Sequence, residues 1–326
     1  MQTTQPDPLH ILSSTKPVIE TSRFVTINEN NLGKLATSVL ARFKKGLGTQ
    51  EMGFTIIPDL EKNVQLVFVE DAINFCFWAD KKSKKWQVKE PDGSVTNGGW
   101  FGLKTCFERG IAEGIPIWDA NYLASFSMTD AKNFFRGVDS EIPLMEERVK
   151  NLQEAGKVLI KKFNGQFINA VEQADYNAIA IAELIIKNFP SFRDISMLDG
   201  NEILFYKRAQ ICPKDLTYIF AAQHKAIADV NQLTAFADYK LPQMLRMFGV
   251  LEYEKTLADK IDDYIQIQHD SREEIEIRAA TIWAVELLHQ QIPELNASDI
   301  DNAIWLLSQD LQQEAKPYHR TRTIFY

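Results

Sequence analysis

Beyond residue 100 the sequence keeps a single period almost to its end. Apolar side chains recur every three to four residues through 144–163, 174–188, 212–228, 242–250, 272–290 and 297–315, the spacing that lines one face of an α-helix. An earlier segment, 26–44, reads the same way, with Asn30 and Asn31 as start signals and Leu32, Leu35, Val39, Leu40 and Phe43 on one face. These segments predict a mainly α fold. Between 64 and about 95 the texture changes. Val64-Gln65-Leu66-Val67-Phe68-Val69 and Asn74-Phe75-Cys76-Phe77-Trp78 alternate or run apolar and aromatic, and Trp86-Gln87-Val88 leads into a Pro91-Asp92-Gly93 turn. They predict a small antiparallel β-sheet in the N-terminal third, at about 60–100. Residues 1–15 are polar and expected to be mobile, which leaves 16–326 as one domain.

A chain of 326 residues, 45% of them hydrophobic, can bury a large core. Its net charge of −8 argues against a protein that grips long nucleic acid through phosphates, although a local basic pocket for one phosphate is compatible with it. The three cysteines, Cys76, Cys106 and Cys212, are far apart and lack metal-ligand spacing. They read as buried thiols in a reducing cytoplasm, with neither a disulfide framework nor a metal. No signal peptide opens the chain, and no apolar run reaches the ~18 residues of a membrane span. Glycine-rich nucleotide loops, Gly-x-Ser-x-Gly and His-Glu-x-x-His are all absent, so no cofactor is expected and chemistry must lean on carboxylates.

One carboxylate stands out. In Phe236-Ala237-Asp238-Tyr239-Lys240-Leu241-Pro242-Gln243, Asp238 sits among aromatic and apolar neighbours, where an ionised acid must be hydrogen-bonded or kept for chemistry. It could equally cap the helix that Leu241-Pro242-Gln243 opens. In Phe205-Tyr206-Lys207-Arg208-Ala209-Gln210, two cations follow an aromatic pair. That arrangement suits a phosphate or nucleotide, or a solvated helix end. Glu274 and Arg278 form an i,i+4 pair beside Trp283 and predict an internal ion-pair network. The tail from Pro317 to Tyr326 is rich in aromatics and arginine, so it is expected to be tied to the body, its arginines closing an anionic pocket or pairing with surface acids.

Several of these blocks, in this order, resemble the queuosine salvage protein family, the queuosine 5′-phosphate N-glycosylases. They are 73–78, Pro143-Leu144-Met145-Glu146-Glu147-Arg148, Phe189-Pro190-Ser191-Phe192-Arg193-Asp194, 205–210, 236–243, 274–283 and 318–326, and the likeness spans roughly 15–326. The resemblance implies a helical fold related to DNA glycosylases and hydrolysis of queuosine 5′-phosphate to release queuine for reuse in tRNA, with a small-molecule substrate and no direct nucleic-acid partner. It also implies that Asp238 is the catalytic acid, that Phe236 stacks on the base within a substrate-binding segment including Ala237, and that Asp301 contacts the base. Tyr206 and Lys207 would hold the 5′-phosphate. Two positions depart from the pattern: Leu306 stands where relatives carry an acid, and Phe54 where a histidine is expected.

That chemistry is feasible for these residue types. Breaking a ribose C1′–N bond builds positive charge on the sugar, which a carboxylate stabilises or attacks. A 7-deazapurine has no N7 to protonate, so a second acid on its remaining polar edge is useful. From local sequence Asp301 could also be an acid in the first turn of a helix. A helical module that binds a modified nucleobase without cleaving it is the alternative reading, and a glycosylase acting on nucleic acid is disfavoured by the charge.

Overall fold

The computed structural model describes residues 5–47 and 52–326. Helix α1 (Ile11–Glu20), strand β1 (Val25–Ile27) and helix α2 (Leu32–Phe43) are followed by α3 (Leu60–Ala72) and α4 (Gly99–Ala112). The short α5 (Ala120–Ala124) and α6 (Met128–Phe134) precede the long α7 (Met145–Lys162). Next come α8 (Ile168–Gln173), α9 (Ala178–Asn188), the hairpin of β2 (Ile195–Leu198) and β3 (Asn201–Leu204), and α10 (Lys207–Ala221). The last elements are α11 (Lys240–Met247), β4 (Leu251–Tyr253), α12 (Lys255–Asp262), α13 (Arg272–Gln291) and α14 (Ala297–Asp310). The fold is thus mainly α, and none of the described helices is long and apolar enough to cross a membrane.

Helix α13 buries every residue from Glu274 to Leu288, so apolar side chains surround it rather than forming a stripe. It packs against α1, α2, α11 and α14, while β1 pairs antiparallel with β4 beside it. A second group of helices forms around α3, which meets α7, α8 and α10. Its aromatic centre stacks Phe68 on Phe167, with ring centroids 4.1 Å apart. The starts of α4, α10 and α11 come together between these two groups, and the functional cavity opens there.

The strands lie elsewhere than the sequence suggested. Residues 64–69 are the middle of α3, capped by the Asp59 side chain on the Lys62 amide. Every residue of that helix from Asn63 to Ala72 is buried, and a helix enclosed on all sides shows a continuous apolar run that imitates a core strand. Residues 74–78 form no ladder. The buried Arg148 guanidinium holds them instead, donating to the carbonyls of Ile73, Phe75 and Cys76 and lying 4.3 Å from the Phe75 ring centroid. The expected turn at Pro91-Asp92-Gly93 is present, closed by Gly93 N–H on the Glu90 carbonyl, but its arms share only the isolated bridge Lys89–Val95. The two regular sheets are β1–β4 and β2–β3. The polar start of the chain also gives way early, because α1 begins at Ile11 and buries Ile11, Leu12 and Thr15.

The anticipated ion-pair network is at the centre of the molecule. Arg278 on α13 makes two hydrogen bonds to Asp194, at 2.8 and 2.6 Å, with both side chains essentially inaccessible to water. Glu274 lies 4.0 Å from the same guanidinium. Removing one partner of a buried pair leaves an uncompensated charge, which costs about 3–5 kcal/mol. Asp194→Ala is therefore expected to lose stability of about that size in urea unfolding; a loss below about 1 kcal/mol would show that Arg278 is satisfied without it.

Candidate active site

The site is one cavity with two chambers. The outer, with a volume of about 200 Å³, is lined by Lys85, Asn97, Gly98, Gly99, Lys240 and Tyr318 among others. The inner, about 50 Å³, is walled by Phe54, Phe236, Ile211, Leu241, Asp215, Asp301 and Asn302. Asn74, Trp100, Lys207, Asp238 and Trp305 line both and mark the passage between them.

Of the two roles that the sequence left open for Asp238, the structure shows the capping one and leaves an oxygen free. Its Oδ1 accepts from the amides of Lys240, at 2.7 Å, and Leu241, at 3.0 Å, and so caps α11. Its Oδ2 accepts no hydrogen bond from the described residues, and the side chain is partly open to both chambers. Burial raises the Asp238 pKa, while the Lys207 ammonium and the two capping amides hold the rise back.

Asp301 is not a capping acid. Asn296 caps α14, accepting the Asp299 amide at 2.9 Å, and Asp301 lies inside the helix, buried and facing the inner chamber. One of its oxygens accepts the Phe236 amide at 2.7 Å, fixing the segment that carries Asp238. Burial, reinforced by the nearby Asp238 charge, pushes its carboxyl well above the usual range. Both carboxyls are thus raised by burial, Asp301 more strongly because it also faces the Asp238 charge.

Lys207 is the first residue of α10, where a cation opposes the helix dipole. It is only 5% exposed, yet no hydrogen bond or ion pair among the described residues ends on its Nζ. Burial lowers its pKa, and Asp238 and Asp71 support its charge. Its neighbour Arg208 turns inward to the carbonyls of Asp71, Ala72 and Ser191 and plays no part in the cavity.

The structure therefore brings Phe236, Lys207, Asp238 and Asp301 together. Tyr206 lines neither chamber. It caps α10 with left-handed backbone (φ 49°), and burial together with the negative Glu202 and Asp194 raises its phenol pKa, surroundings unsuited to a phosphate. Ala237 is buried outside the chamber walls, its carbonyl accepting Arg278 Nε at 3.1 Å. Phe54, in place of the expected histidine, presents an apolar face to the inner chamber, and Leu306 is buried away from it. The tail is tied down as anticipated, through Cys76 N–H on the Tyr326 carbonyl and Ile267 N–H on the Arg320 carbonyl. It lines the outer chamber with tyrosines, Tyr318 and Tyr326, while Arg322 pairs with Asp80 at 3.1 Å.

Sequence reasoning missed Asn74, Trp100, Lys240 and the glycines before α4 as lining groups. A signal was present in Asn97-Gly98-Gly99-Trp100. Gly98 has φ 70°, and a Cβ there would stand 2.0 Å from the Trp86 carbonyl oxygen, so no side chain fits.

Behind Lys207, burial pushes the Asp71 carboxyl up to about 7, against the pull of Lys207 and Arg208. A proton held more tightly in the folded state makes folding weaken as pH rises from the ordinary value of 3.8 to about 7, with no further loss above. Asp71→Asn escapes that penalty. Its stability relative to wild type, read as urea midpoints across pH, is expected to climb through this window and then level off; a constant difference would show that Asp71 titrates normally.

A family model described as queuosine salvage protein matches residues 56–326. A Sphaerobacter thermophilus protein named queuosine 5′-phosphate N-glycosylase/hydrolase is 38% identical over 326 residues, covering 98% of each chain. The Bos taurus protein of that name is 34% identical over 335 residues, 96% of this chain and 97% of its own. The one from Mus musculus is 35% identical over 275 residues, 80% of this chain and 81% of its own.

Proposed function

The chain belongs to the queuosine salvage protein family, and we propose that it hydrolyses the N-glycosidic bond of queuosine 5′-phosphate, releasing queuine for salvage into tRNA. The observation that carries this reading is a pair of carboxyl groups, Asp238 at the passage and Asp301 in the inner chamber, set between an aromatic recess and an outer chamber lined by lysines.

The base occupies the inner chamber, against Phe236 and beneath Trp100 and Trp305. Aromatic faces there exclude water and favour a flat heterocycle. The ribose lies in the passage, its anomeric carbon facing the free Oδ2 of Asp238. As the C1′–N bond lengthens, positive charge on the sugar meets that carboxylate. The departing base gains electron density, which the Asp301 acid relieves by hydrogen bond or proton donation at the base's polar edge. A water from the outer chamber completes the hydrolysis. Lys207, beside both acids, keeps Asp238 ionised against the desolvation that would otherwise neutralise it.

The substrate is the free nucleotide. A net charge of −8 repels a polyanion, and the inner chamber is a narrow, aromatic-walled recess. Three buried free thiols fit a cytoplasmic setting.

Asp238→Asn keeps the size of the side chain and an oxygen to cap α11 but removes the charge. It is expected to fold normally and to lose about 10²–10³-fold or more in release of queuine from queuosine 5′-phosphate, followed by chromatography of the free base. A variant within tenfold of wild type would remove Asp238 from the chemistry. A wild-type protein that binds the nucleotide and releases no base would make it a binding module.

A further inference from the structure

Among the described residues, three lysines and a single acidic side chain line the outer chamber, in a protein with eight more negative charges than positive. Lys207 stands at its inner end. Lys85 and Lys240 stand in the same wall and repel one another, a repulsion that adds to burial in lowering Lys240 to about 8. No carboxylate comes within ion-pair distance of either among the described residues. Lys240 Nζ has only Gln243 Oε1, at 3.3 Å, and the Tyr318 ring, with its centroid at 5.1 Å. Two mutually repelling ammonium groups, with Asp238 as the one acid that supports Lys240, gain from an anion placed between them.

The start of α4, where a Cβ on Gly98 would stand 3.5 Å from Lys85 Cε, supplies donors of another kind. Helix α4 opens into the chamber at Gly98, Gly99, Trp100 and Phe101. Gly98 N–H is taken by Thr96 Oγ1 at 3.1 Å, whereas the amides of Gly99, Trp100 and Phe101 have no acceptor among the described residues. A 14-residue helix leaves its first amides unpaired and carries positive potential at that end. At Gly99 an added Cβ would meet nothing within 4 Å, so the backbone borders open space. The second pointer to a ligand is the lysine pair itself: Lys85 and Lys240 line this chamber beside those amides, and no ion pair ends on either among the described residues.

We propose that the 5′-phosphate is held by Lys240, Lys85 and the N-terminal amides of α4, and not at Tyr206. The inference rests on the proposed function only in placing the base inward and the sugar at the passage. The phosphate then lies at the far end of the outer chamber, on the side of the ribose away from the base. Lys207 remains with Asp238 at the reacting end. Binding energy gathered at the phosphate positions C1′ against Asp238, so a monophosphate is favoured through a group remote from the bond that breaks.

The test is calorimetric binding of ribose 5-phosphate, with free queuine as the second ligand. Lys85→Gln and Lys240→Gln are each expected to weaken ribose 5-phosphate about tenfold, and the double variant to abolish measurable binding. Queuine affinity is expected to change less than about threefold, and the KM for queuosine 5′-phosphate to rise in parallel with the ribose 5-phosphate Kd. Lys240→Arg, which keeps the charge, should recover most of the affinity, and Tyr206→Phe should stay within threefold of wild type. Ribose 5-phosphate affinity that survives the double variant, or that falls only with Tyr206→Phe, would overturn the assignment. So would equal losses of queuine and ribose 5-phosphate, which would mean general damage to the cavity. Because these ligands bind without turnover, a wild type that holds ribose 5-phosphate through the lysines but cleaves nothing would sink the catalytic reading and leave the anion site standing.

Discussion

One guanidinium ties the reacting groups to the core. Arg278 holds Asp194 through two hydrogen bonds, and the same Asp194 accepts the Lys207 amide at 3.1 Å, which seats the first residue of α10. Arg278 also donates to the Ala237 carbonyl, one residue before Asp238. Both cavity charges, one on α10 and one ahead of α11, are thus referred to a single side chain on α13, which is buried without a break from Glu274 to Leu288. The guanidinium is packed between Phe205 and Tyr326, whose ring centroids lie 3.9 and 4.4 Å away, so its own position is fixed by stacking as well as by charge. Geometry held within tenths of an ångström is what proximity catalysis needs, and a buried, fully bonded arginine provides it better than a surface loop could.

The same burial that fixes the geometry sets the chemistry. A low-dielectric interior raises every carboxyl around Lys207, but not equally. Asp238 keeps two amides and the Lys207 ammonium on its charged form, whereas Asp301 faces the Asp238 charge and has one amide, with Lys207 and Lys214 offsetting only part of the rise. The difference between the two acids therefore arises from hydrogen bonds, supplied by the start of α11, and from their mutual repulsion. Capping occupies Oδ1 of Asp238 and leaves Oδ2 for the proposed chemistry.

Much of this was legible in the sequence where a pattern had one physical cause. The long amphipathic segments became helices: α7 and α13 lie within a residue or two of the expected limits, because periodicity and helical packing are the same fact. The pairing of Glu274 with Arg278 followed from helical spacing, and Asp238, Phe236 and Asp301 line one chamber. The failures share a different origin. A fully enclosed helix, α3, has no polar face, so its apolar run carried no period to distinguish it from a strand. Tyr206 and Lys207 are adjacent in sequence, but the left-handed backbone at Tyr206 sends the two residues to different surroundings. The proposed anion site joins Lys85, Lys240 and the first amides of α4, groups far apart in the chain and in part backbone, which no local motif displays.

The most direct measurement is a crystal structure of the Asp238→Asn variant with queuosine 5′-phosphate bound. The expected result is the base in the inner chamber against Phe236, its polar edge on Asp301, and C1′ about 3–3.5 Å from the side-chain atom that replaces Asp238 Oδ2. A base lying in the outer chamber, or an anomeric carbon beyond about 5 Å from position 238, would contradict the assignment of that carboxylate to the glycosidic bond.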